Sequence, residues 1–399
     1  MDTMGFALLV GVGAALAVPV AYQTVLALLS IPDLVRGAPP RRLAGQARFA
    51  ILIPAHDEEG MISGAVESVV ASNYPRDRQR VFVVADNCTD GTAERARSAG
   101  ATALERHDTS KRGKPYALNW ALKQICQDDF DALVIMDADT VMDPYFLAAM
   151  EQHLIAGEQA IQGYFGIMNP DENWLTRLGT LPATVKFRLH FPGKRLLGLS
   201  CPLAGNGMVF SMKLIKKFGW EVYSITENWE YYVMLAQNGY RVTPAPEAVI
   251  YSQVARSLKL GQTQRVRWMQ GQMDILGRYK RALVRQAIRE RSVIALDVLV
   301  ELGKPSHAML LAWTTIYLAA CALWAVVEGH GSTLLLLGAA VLLWLQIAYF
   351  LAGLALERPP LRTWLALGMV PWYLMWKMFI NLRALIGSKD PRWVKTTRN

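Results

Sequence analysis

Residues 5 to 31, GFALLVGVGAALAVPVAYQTVLALLSI, contain no charged side chain. At about 1.5 Å of rise per residue, a helix of this length exceeds the roughly 30 Å hydrocarbon core of a bilayer, which predicts a transmembrane span. A cleaved signal peptide would show a basic leader, a shorter apolar run and a small-residue cleavage site, and this stretch fits none of these. Only Asp2 precedes the run, whereas Arg36, Arg41, Arg42 and Arg48 follow it, opposed by Asp33. By the positive-inside bias the N-terminus is expected outside, with residue 32 onward in the cytoplasm.

The far end repeats the signal, with apolar runs at 308–327, 333–356 and 363–386. The first two each fit one span. The third carries Pro371, Lys377 and Arg383, and a charge near the midplane costs several kcal/mol unless it snorkels, so a tilted span and an interfacial helix are both open. Lys389, Arg392, Lys395 and Arg398 favour a cytoplasmic C-terminus and therefore an interfacial or re-entrant third segment. A hydrophobic fraction of 52% excludes an ordinary soluble enzyme. The net charge of +9 sits largely beside apolar runs, where anionic lipid headgroups are the expected partner rather than nucleic acid. Cys88, Cys126, Cys201 and Cys321 are scattered, which argues against a zinc site or a disulfide framework.

Between residues 45 and 290 the texture is that of an α/β domain. Short apolar runs (FAILIP at 49–54, VFVVAD at 81–86, ALVIMD at 132–137) alternate with helical stretches near 59–72, 91–99 and 114–126. This alternation predicts βαβ units and a largely parallel sheet buried on both faces. Ligands of such sheets gather beyond the carboxyl ends of the strands, and there the chain places HDEE, DNCTDGT and DADT. The expected organisation is an N-terminal span (1–31), a basic linker (32–47), a cytoplasmic domain (48–287), an interfacial helix (288–304), C-terminal membrane or interfacial helices (305–387) and a basic tail (388–399).

Asp137 and Asp139 are the most informative pair. Two carboxylates two residues apart after a strand supply oxygen ligands for a hard divalent ion, Mg²⁺ or Mn²⁺, although an isolated pair of this kind is commonly a solvated turn. Context strengthens the reading. Asp86 ends the preceding strand, and KRGKPYALN puts Lys111, Arg112 and Lys114 beside a glycine just before a helix, where cations and backbone N–H groups can hold phosphate. In QTQRVRW a helix would set Gln264, Arg267 and Trp268 on one face, with Arg267 placed for a diphosphate leaving group and Trp268 as an apolar wall.

The ordered set IPAHDEE (53–59), VVADNCTDGTAERAR (83–97), GKPYALN (113–119), DAD (137–139), LAGNGMVF (203–210), TENWE (226–230) and QRVRW (264–268) resembles membrane-integrated family 2 glycosyltransferases of the GT-A fold, the group of cellulose, hyaluronan, chitin and poly-N-acetylglucosamine synthases. The resemblance implies an α/β, Rossmann-like GT-A domain plus transmembrane helices in an inner membrane. It also implies inverting transfer from a UDP-sugar with Mg²⁺ or Mn²⁺ to a polysaccharide or lipid acceptor. Carried over, Pro54, Ala55, Asp57 and Glu58 would line the nucleotide, with Asp86 on the uridine side and Lys114 near the phosphates. Asp137 would sit near the donor sugar and diphosphate, and Asp139 would be the main metal contact. Gly205, Asn206 and Gly207 would lie beside the acceptor, and Gln264, Arg267 and Trp268 would cover the diphosphate and the acceptor mouth. Segments 164–170 and 186–200 are expected to face the acceptor. Two or three C-terminal spans are few for a translocation channel, so an oligomer or export partner would have to complete one.

The chain departs from the family pattern at two places. Pro115 replaces the usual second glycine of the GKG loop. More consequentially, the family's TED aspartate, its general base, is here Asn228, and an amide cannot take a proton from an acceptor hydroxyl. Three explanations stand: Glu227 or Glu230 is the base, the acceptor is already ionised, or position 228 carries an inactivating Asp→Asn change. A non-catalytic nucleotide-sugar or glycan receptor on a degenerate GT-A fold is the alternative from another class.

Overall fold

A computed structural model describes residues 3–36, 44–328 and 333–386. The basic tail, and Arg41 and Arg42 of the linker, lie outside the described residues. The chain forms two compact units, each built from separate stretches: residues 3–35, 170–196 and 303–386 make one, and residues 44–169 and 197–302 the other. Residues 170–196, within the stretch 48–287 expected as one domain, group with the terminal helices.

In the first unit, α1 (Thr3–Arg36), α12 (His307–Glu328) and α13 (Thr333–Leu356) are apolar helices. Three helices, Thr3–Arg36, His307–Val327 and Thr333–Leu356, are long and apolar enough to cross a membrane. The third expected segment is broken into α14 (Leu361–Leu365), a tight turn at Ala366–Met369 and α15 (Val370–Ile386). Pro371 falls in the first turn of α15, where its missing N–H costs nothing. The insertion holds α6 (Trp174–Thr184), a π-type stretch at Val185–His190 and α7 (Phe191–Leu196). Side chains fasten it: Arg195 pairs with Asp33 at 2.7 Å and Arg188 with Glu357 at 2.9 Å, while Tyr349 donates to the Val185 carbonyl. Gly353 lets α13 approach closely, since a Cβ there would meet Val185 Cγ1 at 2.6 Å.

The second unit carries an eight-stranded sheet. Its elements are β1 (Phe49–Ala55), α2 (Ile62–Val70), β2 (Gln79–Asp86), α3 (Thr92–Ser98), β3 (Thr102–Arg106), α4 (Lys114–Ile125), β4 (Ala132–Ile135), β5 (Thr140–Met142), α5 (Phe146–Ile155), β6 (Ala160–Ile167), β7 (Met208–Ser211), α8 (Met212–Phe218), α9 (Glu227–Gln237), β8 (Val242–Ser252), α10 (Leu258–Arg289) and α11 (Val293–Gly303). Strand order is β3-β2-β1-β4-β7-β6-β8-β5. Strands β3, β2, β1 and β4 are parallel, and the apolar runs of β2, β1 and β4 are buried on both faces as predicted, whereas the edge strand β3 is only partly buried. The sheet as a whole is mixed: β7 runs antiparallel to β4 and β6, and β5 antiparallel to β8. β6 pairs parallel with β8, so six of the eight strands run in one direction and the expectation of a largely parallel sheet holds, with β7 and β5 reversed.

The reversal of β7 places the site. Ile135, the last residue of β4, is in register with Met208, the first of β7, so the Gly205–Gly207 turn lies beside Asp137. Likewise Thr140 is in register with Ser252, which brings the end of β8 to Asp139. Residues 164–167 form the end of β6, and 186–196 belong to the other unit.

Candidate functional site

Four charged side chains converge beyond the end of β4. Lys114, at the N-terminus of α4, donates Nζ to Asp137 Oδ1 at 2.5 Å and to the Gly205 carbonyl at 2.6 Å, and lies 3.9 Å from Glu227 Oε1. Burial alone would lower the Lys114 pKa, but Asp137 and Glu227 outweigh it and hold the ammonium above the usual lysine range. Burial pushes Glu227 up, against the opposing pull of Lys114. Burial lowers the Arg267 pKa, and the negative charges of Glu227 and Asp137 oppose that shift. Its Nε is buried and has no hydrogen-bond partner among the described residues. A buried donor without an acceptor is costly, and an anionic ligand oxygen would relieve it.

Asp139 is buried and accepts from Ser252 Oγ at 3.0 Å. With Asp137 it offers hard carboxylate oxygens, a donor set that fits Mg²⁺ or Mn²⁺ shared with a diphosphate. The described residues also gather Asp57, Cys88 and Asp90. Those carboxylates serve the loops: Asp57 Oδ1 accepts from Thr89 N at 2.7 Å, and Asp90 Oδ1 from Thr92 N at 3.0 Å.

The nucleotide side follows β1 and β2. Pro54 and Ala55 end β1, and Asp57 takes a left-handed turn at φ 53°. The Glu58 N–H donates to Thr92 Oγ1 at 2.8 Å, joining the β1 loop to α3. Asp86 is buried and paired with Arg106 at 2.5 Å, and His56 Nδ1 lies 2.7 Å from the Asp86 carbonyl. Arg106 also reaches Asp108 at 2.9 Å and the Lys111 carbonyl at 2.8 Å, so one cation shapes this corner.

The acceptor-side expectations divide. Gly205 and Gly207 have φ of 87° and 62°, and a Cβ on Gly207 would meet Ile250 Cδ1 at 2.8 Å. Asn206 is buried behind the Asp137 turn, accepting from the Asp137 N–H at 3.1 Å and donating to Thr140 Oγ1 at 2.7 Å. Glu230 sits at the α9–α10 contact. Its carboxylate accepts from Ser224 N at 3.0 Å and Tyr279 hydroxyl at 2.9 Å and faces Arg278, so it fastens α9 to α10 and does not join the Lys114 cluster. Asn228 Nδ2 donates to the Leu203 carbonyl at 2.6 Å. Gln264, Arg267 and Trp268 lie on α10, and Trp268 is 53% exposed, available as a flat wall.

Arg106, His56 and Ser252 escape a sequence reading. Arg106 ends a strand of mostly unremarkable residues, and Ser252 reaches Asp139 only through strand pairing across more than a hundred residues. The sole hint in the chain is a strand-terminal position at the ligand edge.

Comparison with known proteins agrees with this geometry. The family described as "Glycosyltransferase like family 2" matches residues 47–271. The "Probable glycosyltransferase YdaM" of Bacillus subtilis (strain 168) is 26% identical over 243 residues, covering 57% of this chain and 56% of that protein. A poly-beta-1,6-N-acetyl-D-glucosamine synthase of Staphylococcus aureus (strain MSSA476) is 25% identical over 243 residues, covering 57% and 55%. The chain thus spans about half the length of the curated relatives it matches. Among solved structures, a mannosyltransferase of Pyrobaculum calidifontis in complex with GDP-Man and Mn²⁺ superposes with a TM-score of 0.54 at 20% identity, covering 87% of this chain and 98% of that one. A GT-A-like sheet, the match across more than half of the sequence and the clustered Lys114, Asp137, Asp139 and Arg267 lead to one conclusion: the chain belongs to glycosyltransferase family 2.

Proposed function

We propose that this chain is an inverting, metal-dependent transferase that moves a hexose or N-acetylhexosamine from a UDP-sugar to a membrane-associated acceptor, a polysaccharide or a lipid. The observation that carries the reading is the Lys114–Asp137–Glu227–Arg267 cluster, in which Arg267 keeps a buried Nε without a partner. Such a group is suited to oxygens that bear charge as the diphosphate leaves. Pro54, Ala55, Asp57, Glu58 and Asp86 would hold the nucleotide, and Lys114 would orient Asp137 toward the donor sugar. Asp139 and Asp137 would hold the divalent ion, which when bound neutralises diphosphate charge. Trp268 and the Gly205–Gly207 turn would border the acceptor. The apolar helices would retain the chain in a bacterial-type inner membrane, with the catalytic unit cytoplasmic and lipids, an oligomer or an export partner beside it.

The test is nucleotide release from a panel of UDP-sugars and GDP-mannose, with Mn²⁺ or Mg²⁺, on the full chain in nanodiscs. Release that depends on metal and on one donor supports the reading; no release from any donor sinks it. Asn228 favours a second reading, a receptor that binds nucleotide-sugar without turnover, and calorimetric binding with no release would identify it.

A further inference from the structure

The amide at position 228 is built into the site. Asn228 Nδ2 donates to the Leu203 carbonyl at 2.6 Å, and the Asn228 side chain stands 3.5 Å from where a Gly205 Cβ would be. Gly205 in turn gives its carbonyl to Lys114 Nζ at 2.6 Å. Asn228 thus holds the Leu203 carbonyl at the start of the 203–207 segment, whose Gly205 carbonyl accepts from the Lys114 that pairs with Asp137. A carboxylate at 228 would set an oxygen against the Leu203 oxygen, two acceptors with no proton between them. The position is shaped for an amide.

The nearby carboxylates each face a cation or a hydrogen-bond donor. Asp137 pairs with Lys114 at 2.5 Å, Glu227 faces the same ammonium at 3.9 Å with its side chain 9% exposed, and Asp139 accepts from Ser252. Glu230 is fastened to Tyr279 and Ser224. A hydroxyl acceptor needs a group to take its proton as the new bond forms. An acceptor oxygen that is already ionised needs none, and it gains from an amide where a carboxylate would repel it.

We propose that the acceptor nucleophile is the oxyanion of a phosphate monoester, an inference that rests on the glycosyltransferase reading above. The phosphate oxygen attacks the anomeric carbon, the bond from that carbon to the nucleoside diphosphate breaks, and the diphosphate leaves with the electron pair. No proton is transferred. The product is a sugar phosphodiester, and Asn228 is a positioning residue that holds the Gly205 turn and keeps negative charge off the acceptor's approach. A phosphate monoester is near its dianion at neutral pH, which distinguishes it from any sugar hydroxyl.

The experiment compares acceptors on the unmodified full chain in nanodiscs, with Mn²⁺ and the active UDP-sugar. A polyprenyl phosphate and phosphatidic acid in the bilayer, and glycerol 3-phosphate in solution, represent the phosphate class. A short β-1,6-linked N-acetylglucosamine oligomer and diacylglycerol represent hydroxyls. The expected result is transfer to a phosphate acceptor about tenfold or more faster than to any hydroxyl, with a solvent deuterium isotope effect near unity because no proton is in flight. The bilayer and solution arms identify whether the phosphate is a lipid headgroup. Asn228→Asp should lower turnover on the phosphate acceptor about tenfold, from like charge within a few ångströms. Its melting temperature without ligands should fall as well, since the bond to Leu203 is lost. Equal or faster transfer to hydroxyls, transfer to neither class, or a gain of activity in Asn228→Asp overturns the inference, while metal- and donor-dependent UDP release leaves the transferase reading standing. Failure to bind UDP with metal overturns both.

Discussion

Gly271 on α10 faces Thr226 at the start of α9 so closely that a Cβ there would lie 2.6 Å from Thr226 Oγ1 and 3.0 Å from Ile225 Cγ2. Gly271 is four residues beyond Arg267, one helical turn along α10, so the contact fixes how the helix bearing Gln264, Arg267 and Trp268 meets the segment bearing Glu227 and Asn228. Gly271→Ala should overpack this contact and cost about 1–3 kcal/mol. Thermal unfolding checks it, and adding Thr226→Ala should recover part of the loss by removing the obstructing atoms. If Gly271→Ala alone melts like the parent, the close approach is not a constraint.

Lys114 balances Asp137 and Glu227 together. Lys114→Met leaves both carboxylates near where a diphosphate would bind, and should weaken UDP affinity by about tenfold or more. Calorimetry with Mn²⁺ measures it. Unchanged affinity would place the diphosphate elsewhere.

Arg267 should not be replaceable by lysine. The unpartnered Nε belongs to a planar fork that an ammonium cannot reproduce. Arg267→Lys should lower kcat by about 10²-fold, with a smaller change in donor KM, the signature of a contact made as charge develops. Steady-state nucleotide release separates the two constants, and a change in KM alone would assign Arg267 to ground-state binding.

Asp86 and Arg106 form a buried pair with side chains 7% and 5% exposed. Arg106→Met should cost about 3–5 kcal/mol by leaving Asp86 uncompensated. Asp86→Asn in the same chain should restore part of it, which chemical denaturation would read. A double variant no more stable than Arg106→Met would mean that packing of the guanidinium stem, not charge, is what counts.

His153 carries a pH dependence. It lies between Glu158 at 2.6 Å and Glu247 at 2.7 Å. Burial opposes its charge, but the two carboxylates outweigh that and raise its pKa from 6.5 to about 9. A pKa raised on folding contributes stability that is fully present below about pH 6.5 and is lost as pH climbs through about 9. Melting temperature should therefore fall across that window, and His153→Gln should flatten the fall. An equal slope in both proteins would remove His153 from the account.

Strands β1, β2 and β4 were legible where burial and polar strand ends coincide. FAILIP, VFVVAD and ALVIMD read as strands because neighbours cover both faces, and each ends on polar residues because the sheet edge there faces ligand. Strand β8, VTPAPEAVIYS, was not legible: Pro244 and Pro246 break a strand pattern. Its partner β6 holds Gly163 and a register shift between Gly163 and Tyr164. Asn206 was expected beside the acceptor only because the LAGNGMVF segment resembles the family's. Only the pairing of β4 with β7 reveals that its side chain turns inward to Asp137 and Thr140. Glu230 was within reach of the right helical face by spacing, yet Tyr279 and Ser224, distant and adjacent in sequence, decide where it points.

The insertion at residues 170–196 leaves the sheet after β6 and returns before β7. Ribosomal synthesis therefore delivers α1 and this insertion before α12 and α13 exist to receive Tyr349's and Glu357's side of their contacts. Truncating the chain before α12, the obvious route to a water-soluble fragment, would keep the sheet but strip 170–196 of those partners and present Val185, Leu189 and their neighbours to solvent. A fragment that omits the insertion would instead have to bridge Asn169 to Leu197 with a new linker. Only that excision respects the seam along which this polypeptide divides.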